Sequence, residues 1–313
     1  KFQGVNPRHT PMKIFPAVHY LMGGLWVDYE RCDKTGGMVH GSPRNHHSNV
    51  PGLFVIGEAD YQYHGGNRLG ANSLLSCIFT GLFVAPTIQN WLHALPEGSA
   101  GDQPTTLYDK AVASHAQAAD TLIQSSGQEN PYRLHQELGD VMTRNVTVVR
   151  NNKDLRASLD RIDELEERYK HISLSDKGNW TNQNLSLARA LGDMITMARV
   201  IALGALKRDE CRGVHYKPEF QIKPPDAEDY DGLHRQAVQW CTEFRDKNKK
   251  WLKTTVAQCG PDGPTITYEA VDTSLIHPRP RTYGLEGAEI IEDVWKEMDV
   301  GEEGPSNAAP TTV

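Results

Sequence analysis

A glycine-rich turn at residues 64–70 carries one cation, Arg68, just before an apolar segment. Glycines let a backbone approach a ligand closely, and the free N–H groups of a following helix N-terminus favour negative charge. The planar guanidinium of Arg68 can bind a carboxylate or a phosphate through two hydrogen bonds. The turn is therefore predicted to bind an anion, and the alternative is an ordinary strand-to-helix loop with an exposed Arg68.

Apolar residues on both sides of this turn predict the elements that position it. Residues 53–56 predict a short strand that is buried on both faces and leads to the carboxylate of Glu58. From Asn72 onward, apolar residues recur around most of a helical circumference, which predicts a buried helix with Asn72 or Ser73 as N-cap. A helix N-terminus at the carboxyl end of a strand is where ligands bind in open α/β sheets.

The composition is that of an ordinary soluble globular protein, with 313 residues, 23% of them charged and 38% hydrophobic. A net charge of −7 gives no basic footprint for nucleic acid. No run is expected to reach the length of a transmembrane helix, since the closest, residues 73–88, contains Ser, Thr, Gly and Pro. Five scattered cysteines without a CxxC pair argue for a reducing compartment and against an iron–sulfur site.

No metal site is predicted. Cys211 and His215 lie four residues apart and His46 and His47 are adjacent, but each pair is only a partial metal signature. His40, His46 and His47 lie in a polar loop between a predicted strand at residues 24–28 and the strand at 53–56, and we expect them to face solvent.

Helical patterns dominate from about residue 104, after a linker at residues 95–101. Asn130 and Pro131 form a helix start, an N-cap followed by Pro at the first helical position. Residues 155–172 show an apolar stripe at spacings of three and four, opposite a charged face that includes Arg168 and is expected to be solvated. Residues 185–206 have a broader, alanine-rich apolar face, which predicts the central member of an antiparallel bundle.

The last hundred residues have a different character. Residues 233–244 predict one more helix, and residues 251–257 and 265–271 predict a hairpin with a multi-residue loop at 259–264. Apolar residues at 290–295 predict a short docking helix.

Four motifs in the chain resemble the flavoprotein subunit of succinate dehydrogenase and fumarate reductase. They are HYLMGG at residues 19–24, Gly57-Glu58, NRLGANSLL at residues 67–75, and KRDECRGVH at residues 207–215. The family usually has Ser at the position of Cys211. The resemblance covers nearly the whole chain and is weakest in the last few dozen residues.

Together with the residue patterns above, the resemblance implies the fold class α+β and four segments. Residues 1–100 are expected to be the C-terminal part of a FAD-binding domain, an α/β remnant that carries the substrate site. Residues 104–216 are expected to form the antiparallel helical bundle, residues 217–300 a small domain with the hairpin, and residues 301–313 a disordered tail.

The resemblance also implies the site residues. His19 and Arg68 match the family's binding residues for succinate or fumarate, and Arg212 and His215 are expected to anchor structure rather than touch substrate. No catalytic group is expected in the chain itself. Family members begin with a dinucleotide fold and a capping domain whose arginine transfers the proton, and the chain has no GxGxxG, so we expect it to be the C-terminal part of a longer polypeptide. The residues predicted to contact FAD are Tyr20, Glu58, Ala71, Asn72, Ser73 and Leu74.

The predicted function is interconversion of succinate and fumarate by a FAD-dependent respiratory oxidoreductase, with this chain inactive alone. The partners implied are an iron–sulfur subunit and, through it, a membrane anchor of the cytochrome b type with quinone, on the cytoplasmic side of a bacterial inner membrane. L-aspartate oxidase is the alternative among enzymes, although residues 69–72 follow the respiratory pattern. A helical interaction module is the non-enzymatic alternative, and it leaves His19 and Arg68 without a role. The direction of the reaction and covalent flavin attachment are left open.

Overall fold

The computed structural model describes residues 8–11, 18–99, 103–261, 263–282 and 288–299, together with Gly4 and Asn6. The chain divides into two compact units that adjoin in sequence between Leu95 and Pro96. This division lies in the predicted linker at residues 95–101. The finer domain boundaries stay predictions, and the predicted tail at residues 301–313 lies outside the described residues.

The first unit is a set of irregular loops and a short 3-10 turn, Gly57–Ala59, beside one long helix, α1 (Asn72–Ala94). The predicted strands at residues 24–28 and 53–56 are wrong. Their pairing is limited, within the described part of the chain, to single bridges between Leu25 and Asp60 and between His47 and Phe54. A strand needs a continuous ladder with a neighbour, and one bridge does not provide it.

Helix α1 begins at Asn72 as predicted, but it is not a buried helix. Five of its large apolar side chains are exposed, with 73% of the surface of Leu74 accessible, and the others are half-buried. The buried side chains are instead the hydroxyl residues Ser76, Thr80 and Thr87, each of which donates to a backbone carbonyl three or four residues earlier. Apolar periodicity identifies a face of a helix, but the elements that cover that face are set by the rest of the fold.

The hydropathy of α1 also contradicts the expectation that no segment is long and apolar enough to cross a membrane. Among the described residues, α1 is the one helix long and apolar enough to cross a membrane, judged by length and composition alone. Core helices of soluble proteins pass the same test, so this finding is weak evidence for a span.

The second unit contains the predicted bundle. It consists of α2 (Thr105–Gln124), α3 (Pro131–Met142), α4 (Asn152–Tyr169) and α5 (Gln183–Lys207), with a π turn at Thr143–Thr147. Helix α5 packs against α2, α3 and α4, as its alanine-rich face predicts. The core consists of Leu134, Leu138, Val146, Leu155, Ile162, Leu165, Ile172, Leu174, Ala188, Leu191, Ile195, Ala198, Ala202 and Ala205.

The predicted start of α3 is confirmed, because the Asn130 side chain accepts a hydrogen bond from the Tyr132 N–H at 2.9 Å. The expectation that Arg168 is simply solvated is wrong. Its guanidinium makes two hydrogen bonds to Glu129, at 2.8 and 3.0 Å, and another at 2.7 Å to Glu137. These ion pairs tie α4 to the segment before α3 and to α3 itself.

The rest of the second unit contains α6 (Tyr230–Trp251), an antiparallel hairpin of β1 (Lys253–Gly260) and β2 (Gly263–Ala270), and α7 (Ala288–Asp299). The predicted docking helix is confirmed, since Ile291 and Val294 of α7 are buried against α6. The predicted multi-residue loop is wrong, because Gly260 pairs with Gly263 and only residues 261 and 262 lie between the strands. The helices and the two-stranded sheet confirm the fold class α+β.

Candidate functional site

The side chains of His19 and Arg68 are in direct contact, although 49 residues separate them in sequence. The Arg68 Nη2 lies 3.0 Å from the His19 Nδ1, and the Arg68 Nη1 donates to the Leu69 carbonyl at 3.0 Å. Since a guanidinium can only donate, the His19 Nδ1 is the acceptor and the ring proton resides on Nε2. His19 is exposed and Arg68 is half-buried, so both can reach a ligand.

Tyr20 lies between this pair and helix α1. The Arg68 Cζ lies 5.7 Å from the centre of the Tyr20 ring, within the range of a cation–π contact. The Tyr20 hydroxyl lies 3.0 Å from the Ser76 Oγ on α1, and the His64 ring meets the Tyr20 ring edge-on at 5.1 Å.

Glu58 fixes the motif that contains His19 and Tyr20 against the Gly57–Ala59 turn. Its Oε1 accepts a hydrogen bond from the Leu21 N–H at 2.9 Å, and its side chain is exposed. Gly24 lies three residues after Leu21, and a Cβ on Gly24 would lie only 2.3 Å from the Ala59 carbonyl oxygen. Only glycine permits this approach, in which the Leu25 N–H donates to the same oxygen at 2.7 Å.

The N-terminus of α1 has no side-chain cap. The N-cap is Ala71, in the left-handed region with φ of 65°, so the prediction that Asn72 or Ser73 caps the helix is wrong. The first turn contains no acidic residue. The N–H groups of a first helical turn have no partner within the helix and concentrate positive charge, so this end suits an anionic group.

The six residues predicted to contact FAD therefore lie in the first unit with chemistry that fits the cofactor. Glu58 is an exposed carboxylate suited to ribose hydroxyls, and Tyr20 supplies an aromatic ring next to Arg68. Ala71, Asn72, Ser73 and Leu74 surround the uncapped helix end, whose N–H groups suit the anionic edge of a reduced flavin.

A buried histidine was missed by the sequence. His46 was expected to face solvent, but it is fully buried, with its Nδ1 3.1 Å from the Oδ2 of buried Asp60. Gln62 donates to the same carboxylate oxygen at 2.9 Å, and the Tyr63 hydroxyl lies 3.3 Å from the His46 Nε2. This network anchors the chain directly before His64. No feature of the sequence connects His46 with a carboxylate 14 residues away.

The other two histidines of this loop differ in exposure. His40 is exposed, as predicted, and meets the Phe83 ring edge-on at 5.3 Å, whereas His47 is half-buried, with its ring 4.8 Å from that of Phe54.

Burial and charge shift the pKa values of two groups that precede Arg68 in the chain, His64 and Tyr63. Desolvation, followed by the positive charge of Arg68, lowers the pKa of His64, so the ring favours its neutral form. Burial, and then the nearby Asp60 carboxylate, raise the pKa of Tyr63.

Arg212 and His215 of the fourth motif lie in the second unit, within a polar network. Buried Glu210 forms ion pairs with Arg208 and Arg212. The His215 Nε2–H donates to the Arg208 carbonyl at 2.8 Å, and the His215 Nδ1 accepts from Arg150 at 2.7 Å. Burial lowers the pKa of His215 to about 4, which keeps the ring neutral at pH 7. These contacts give both residues structural partners.

A fully buried lysine follows this motif. The Lys217 Nζ donates to the carbonyls of Ala205, Leu206 and Arg208 and to the Asp209 carboxylate, at 2.8 to 3.3 Å. It therefore satisfies the last carbonyls of α5, a role that a cation performs well at a helix C-terminus.

Comparisons with known proteins match both units. Residues 1–74 match the FAD binding domain model, and residues 135–283 match the model of the fumarate reductase flavoprotein C-terminal region. The succinate dehydrogenase flavoprotein subunit of Bacillus subtilis is 44% identical over 285 residues, which cover 90% of this chain and 42% of the relative. The chain belongs to the succinate dehydrogenase and fumarate reductase flavoprotein family.

Other members of the flavoprotein family agree with this assignment. The fumarate reductase flavoprotein subunit of Haemophilus influenzae is 30% identical over 287 residues, 91% of this chain and 41% of the relative. A solved structure of E. coli quinol fumarate reductase matches with a TM-score of 0.69 and 25% identity, over 91% of this chain and 42% of that one. The chain thus spans about two fifths of the length of these flavoproteins, and FAD is the family's cofactor.

Proposed function

We propose that this chain supplies the dicarboxylate-binding residues, and part of the flavin-binding surface, of an enzyme that interconverts succinate and fumarate. The observation that supports this most strongly is the 3.0 Å contact between Arg68 and His19. It joins the two side chains that match the family's substrate-binding His and Arg into one cationic, donor-rich surface.

The donors of this pair suit a dicarboxylate. Arg68 has five N–H groups and uses two of them, on Leu69 and His19, so three are left for a carboxylate. The His19 Nε2–H is one more donor. A dianion is best held by such preorganised groups, because their orientation costs nothing at the moment of reaction.

FAD, when bound, supplies the hydride acceptor of the reaction. We assign Glu58 to the FAD ribose, and Tyr20, Ala71, Asn72, Ser73 and Leu74 to the flavin ring. We assign no proton-transfer group to this chain, because the resemblance implies an arginine in the part of the flavoprotein that precedes these motifs.

The flavin also needs an outlet for electrons. We propose that they pass to an iron–sulfur subunit, and through it to quinone on a membrane anchor of the cytochrome b type. The flavoprotein would then be peripheral on the cytoplasmic side of a bacterial inner membrane. The matched quinol fumarate reductase structure supports a multi-subunit assembly.

Co-purification tests the assembly. We expect an iron–sulfur protein to accompany the intact flavoprotein from membranes and to be stripped off by a chaotrope. Recovery entirely in the soluble fraction, without iron and with aspartate oxidation, would instead support an L-aspartate oxidase.

Substrate binding tests the site. In the FAD-loaded enzyme that contains this chain, His19→Ala should weaken succinate affinity while the flavin content stays native. His93→Ala is a matched control, because His93 is an exposed residue in the last turn of α1. Native succinate affinity in His19→Ala would contradict the assignment of His19.

A further inference from the structure

The Ser76 hydroxyl, on the buried face of α1, has three polar partners and is only 6% exposed as a residue. Its Oγ donates to the Ser73 carbonyl at 2.8 Å, within the same helix. The Tyr20 hydroxyl lies 3.0 Å from it and the His64 Nε2 lies 3.1 Å from it.

Counting protons determines the direction of these bonds. A serine hydroxyl has one proton and two lone pairs, and the proton of Ser76 is used on the Ser73 carbonyl. Ser76 must therefore accept from both the Tyr20 hydroxyl and the His64 Nε2–H. The Nδ1 of His64 has no hydrogen-bond partner within the described part of the chain, so donation to Ser76 is the polar contact that orients this ring.

The same three side chains support Arg68. The Tyr20 ring, held at its hydroxyl by Ser76 and in T-shaped contact with the His64 ring, lies 5.7 Å from the Arg68 Cζ. A guanidinium next to an aromatic ring loses rotational freedom, which lowers the entropy cost of binding a carboxylate. Neutral His64 also adds no positive charge beside Arg68.

We propose that Ser76 and His64 are positioning residues for dicarboxylate binding, which fix the Tyr20 ring and through it the guanidinium of Arg68. This inference rests on the proposed function of Arg68. Ser76 and His64 do not touch the dicarboxylate in this account, so their removal should change its affinity more than the turnover rate.

The test uses the FAD-loaded enzyme and malonate, a dicarboxylate that the reaction does not consume. The dissociation constant of malonate is followed through the flavin absorbance, beside KM and kcat for succinate. We expect Ser76→Ala and Tyr20→Phe each to raise the dissociation constant and KM about tenfold, with kcat changed less than threefold.

Two comparisons separate positioning from a merely structural role. His64→Gln keeps an N–H donor, so its malonate affinity should stay near native. His64→Leu has no donor, so its malonate affinity should fall as in Ser76→Ala. The double variant Ser76→Ala with Tyr20→Phe should bind malonate no more weakly than Ser76→Ala alone, because Ser76→Ala already removes the bond that Tyr20→Phe removes. Thr87→Val removes another buried hydroxyl from α1, one that contacts only the Phe83 carbonyl in the described structure, and should leave malonate affinity native.

The outcomes distinguish this inference from the proposed function. If Arg68→Lys weakens malonate binding while Ser76→Ala, Tyr20→Phe and His64→Leu all bind natively, the positioning role is wrong and the proposed function stands. If Arg68→Lys itself binds malonate natively, the proposed function is wrong. Should Ser76→Ala fail to fold or load FAD, Tyr20→Phe and the two His64 variants decide the result.

Discussion

Replacement of Arg68 by lysine keeps the positive charge but removes the planar fork. The guanidinium now donates to the Leu69 carbonyl and to His19 at once, with three N–H groups left for a carboxylate. A lysine ammonium has three N–H groups that diverge from one nitrogen, so it cannot make the two parallel hydrogen bonds that a guanidinium makes to a carboxylate. The variant therefore loses at least one charge-assisted hydrogen bond to the substrate.

The magnitude follows from that loss. A hydrogen bond to a charged group contributes about 1.5–3 kcal/mol, and Arg68→Lys also leaves the His19 ring without its fixed partner. We expect kcat/KM for succinate to fall on the order of 100-fold, equivalent to about 2.7 kcal/mol of transition-state stabilisation.

The assay measures steady-state succinate oxidation in the FAD-loaded enzyme, normalised to flavin content. Arg44→Lys is the matched control, since Arg44 also makes a two-bond contact, to Asp28, but is 58% exposed in its side chain. Such surface pairs contribute little, so kcat/KM should stay native in the control. Native kcat/KM for succinate in Arg68→Lys would contradict the assignment of Arg68 to substrate binding.

Three further predictions concern binding and stability. The purified 313-residue protein should not retain FAD, and a stoichiometric flavin absorbance band would contradict this. Lys217→Met should lower the free energy of unfolding by about 3 kcal/mol in urea titrations, because it leaves buried carbonyls unpaired. Lys249 is exposed, so the control Lys249→Met should change that free energy by less than about 0.5 kcal/mol. Folding lowers the pKa of His215, so the unfolded chain binds a proton at higher pH than the folded chain does. The free energy of unfolding should therefore fall as the pH drops from about 6.5 to about 4, by about 3 kcal/mol at most. His215→Gln should reduce that fall.

The helices of the second unit were predictable because apolar spacing, small residues and capping residues act within a few residues of one another in the sequence. In α4 the stripe of Leu155, Ile162 and Leu165 marks the buried face, and small residues such as Ala198 mark the close packing of α5. Asn130 even predicts where α3 begins, because its capping side chain accepts a hydrogen bond from an N–H only two residues further along the chain.

The errors lie where the outcome depends on distant partners. Residues 53–56 have the composition of a buried strand, but a strand forms only when a neighbour supplies the ladder. The apolar face of α1 is visible in the sequence, whereas its exposure at Leu74 depends on what packs there. The sequence around His46 does not indicate that Asp60 is its partner, and the contact with Asp60 is what allows His46 to be buried.

The candidate site was predictable by a different route. Arg68 among glycines indicates an anion-binding turn, but nothing in spacing links it to His19, 49 residues away. That pairing came from the family resemblance, and the supporting residues Ser76 and His64 became visible only in the structure.

An anaerobic titration of the FAD-loaded enzyme with succinate and, separately, with L-aspartate tests most directly whether this site oxidises a dicarboxylate. We expect succinate to bleach the flavin absorbance, fumarate to restore it, and L-aspartate to have no effect. Replacement of both His19 and Arg68 by alanine should abolish the response to succinate without loss of flavin. Bleaching by L-aspartate but not by succinate, or native bleaching in the double variant, would contradict the assignment of His19 and Arg68 to succinate.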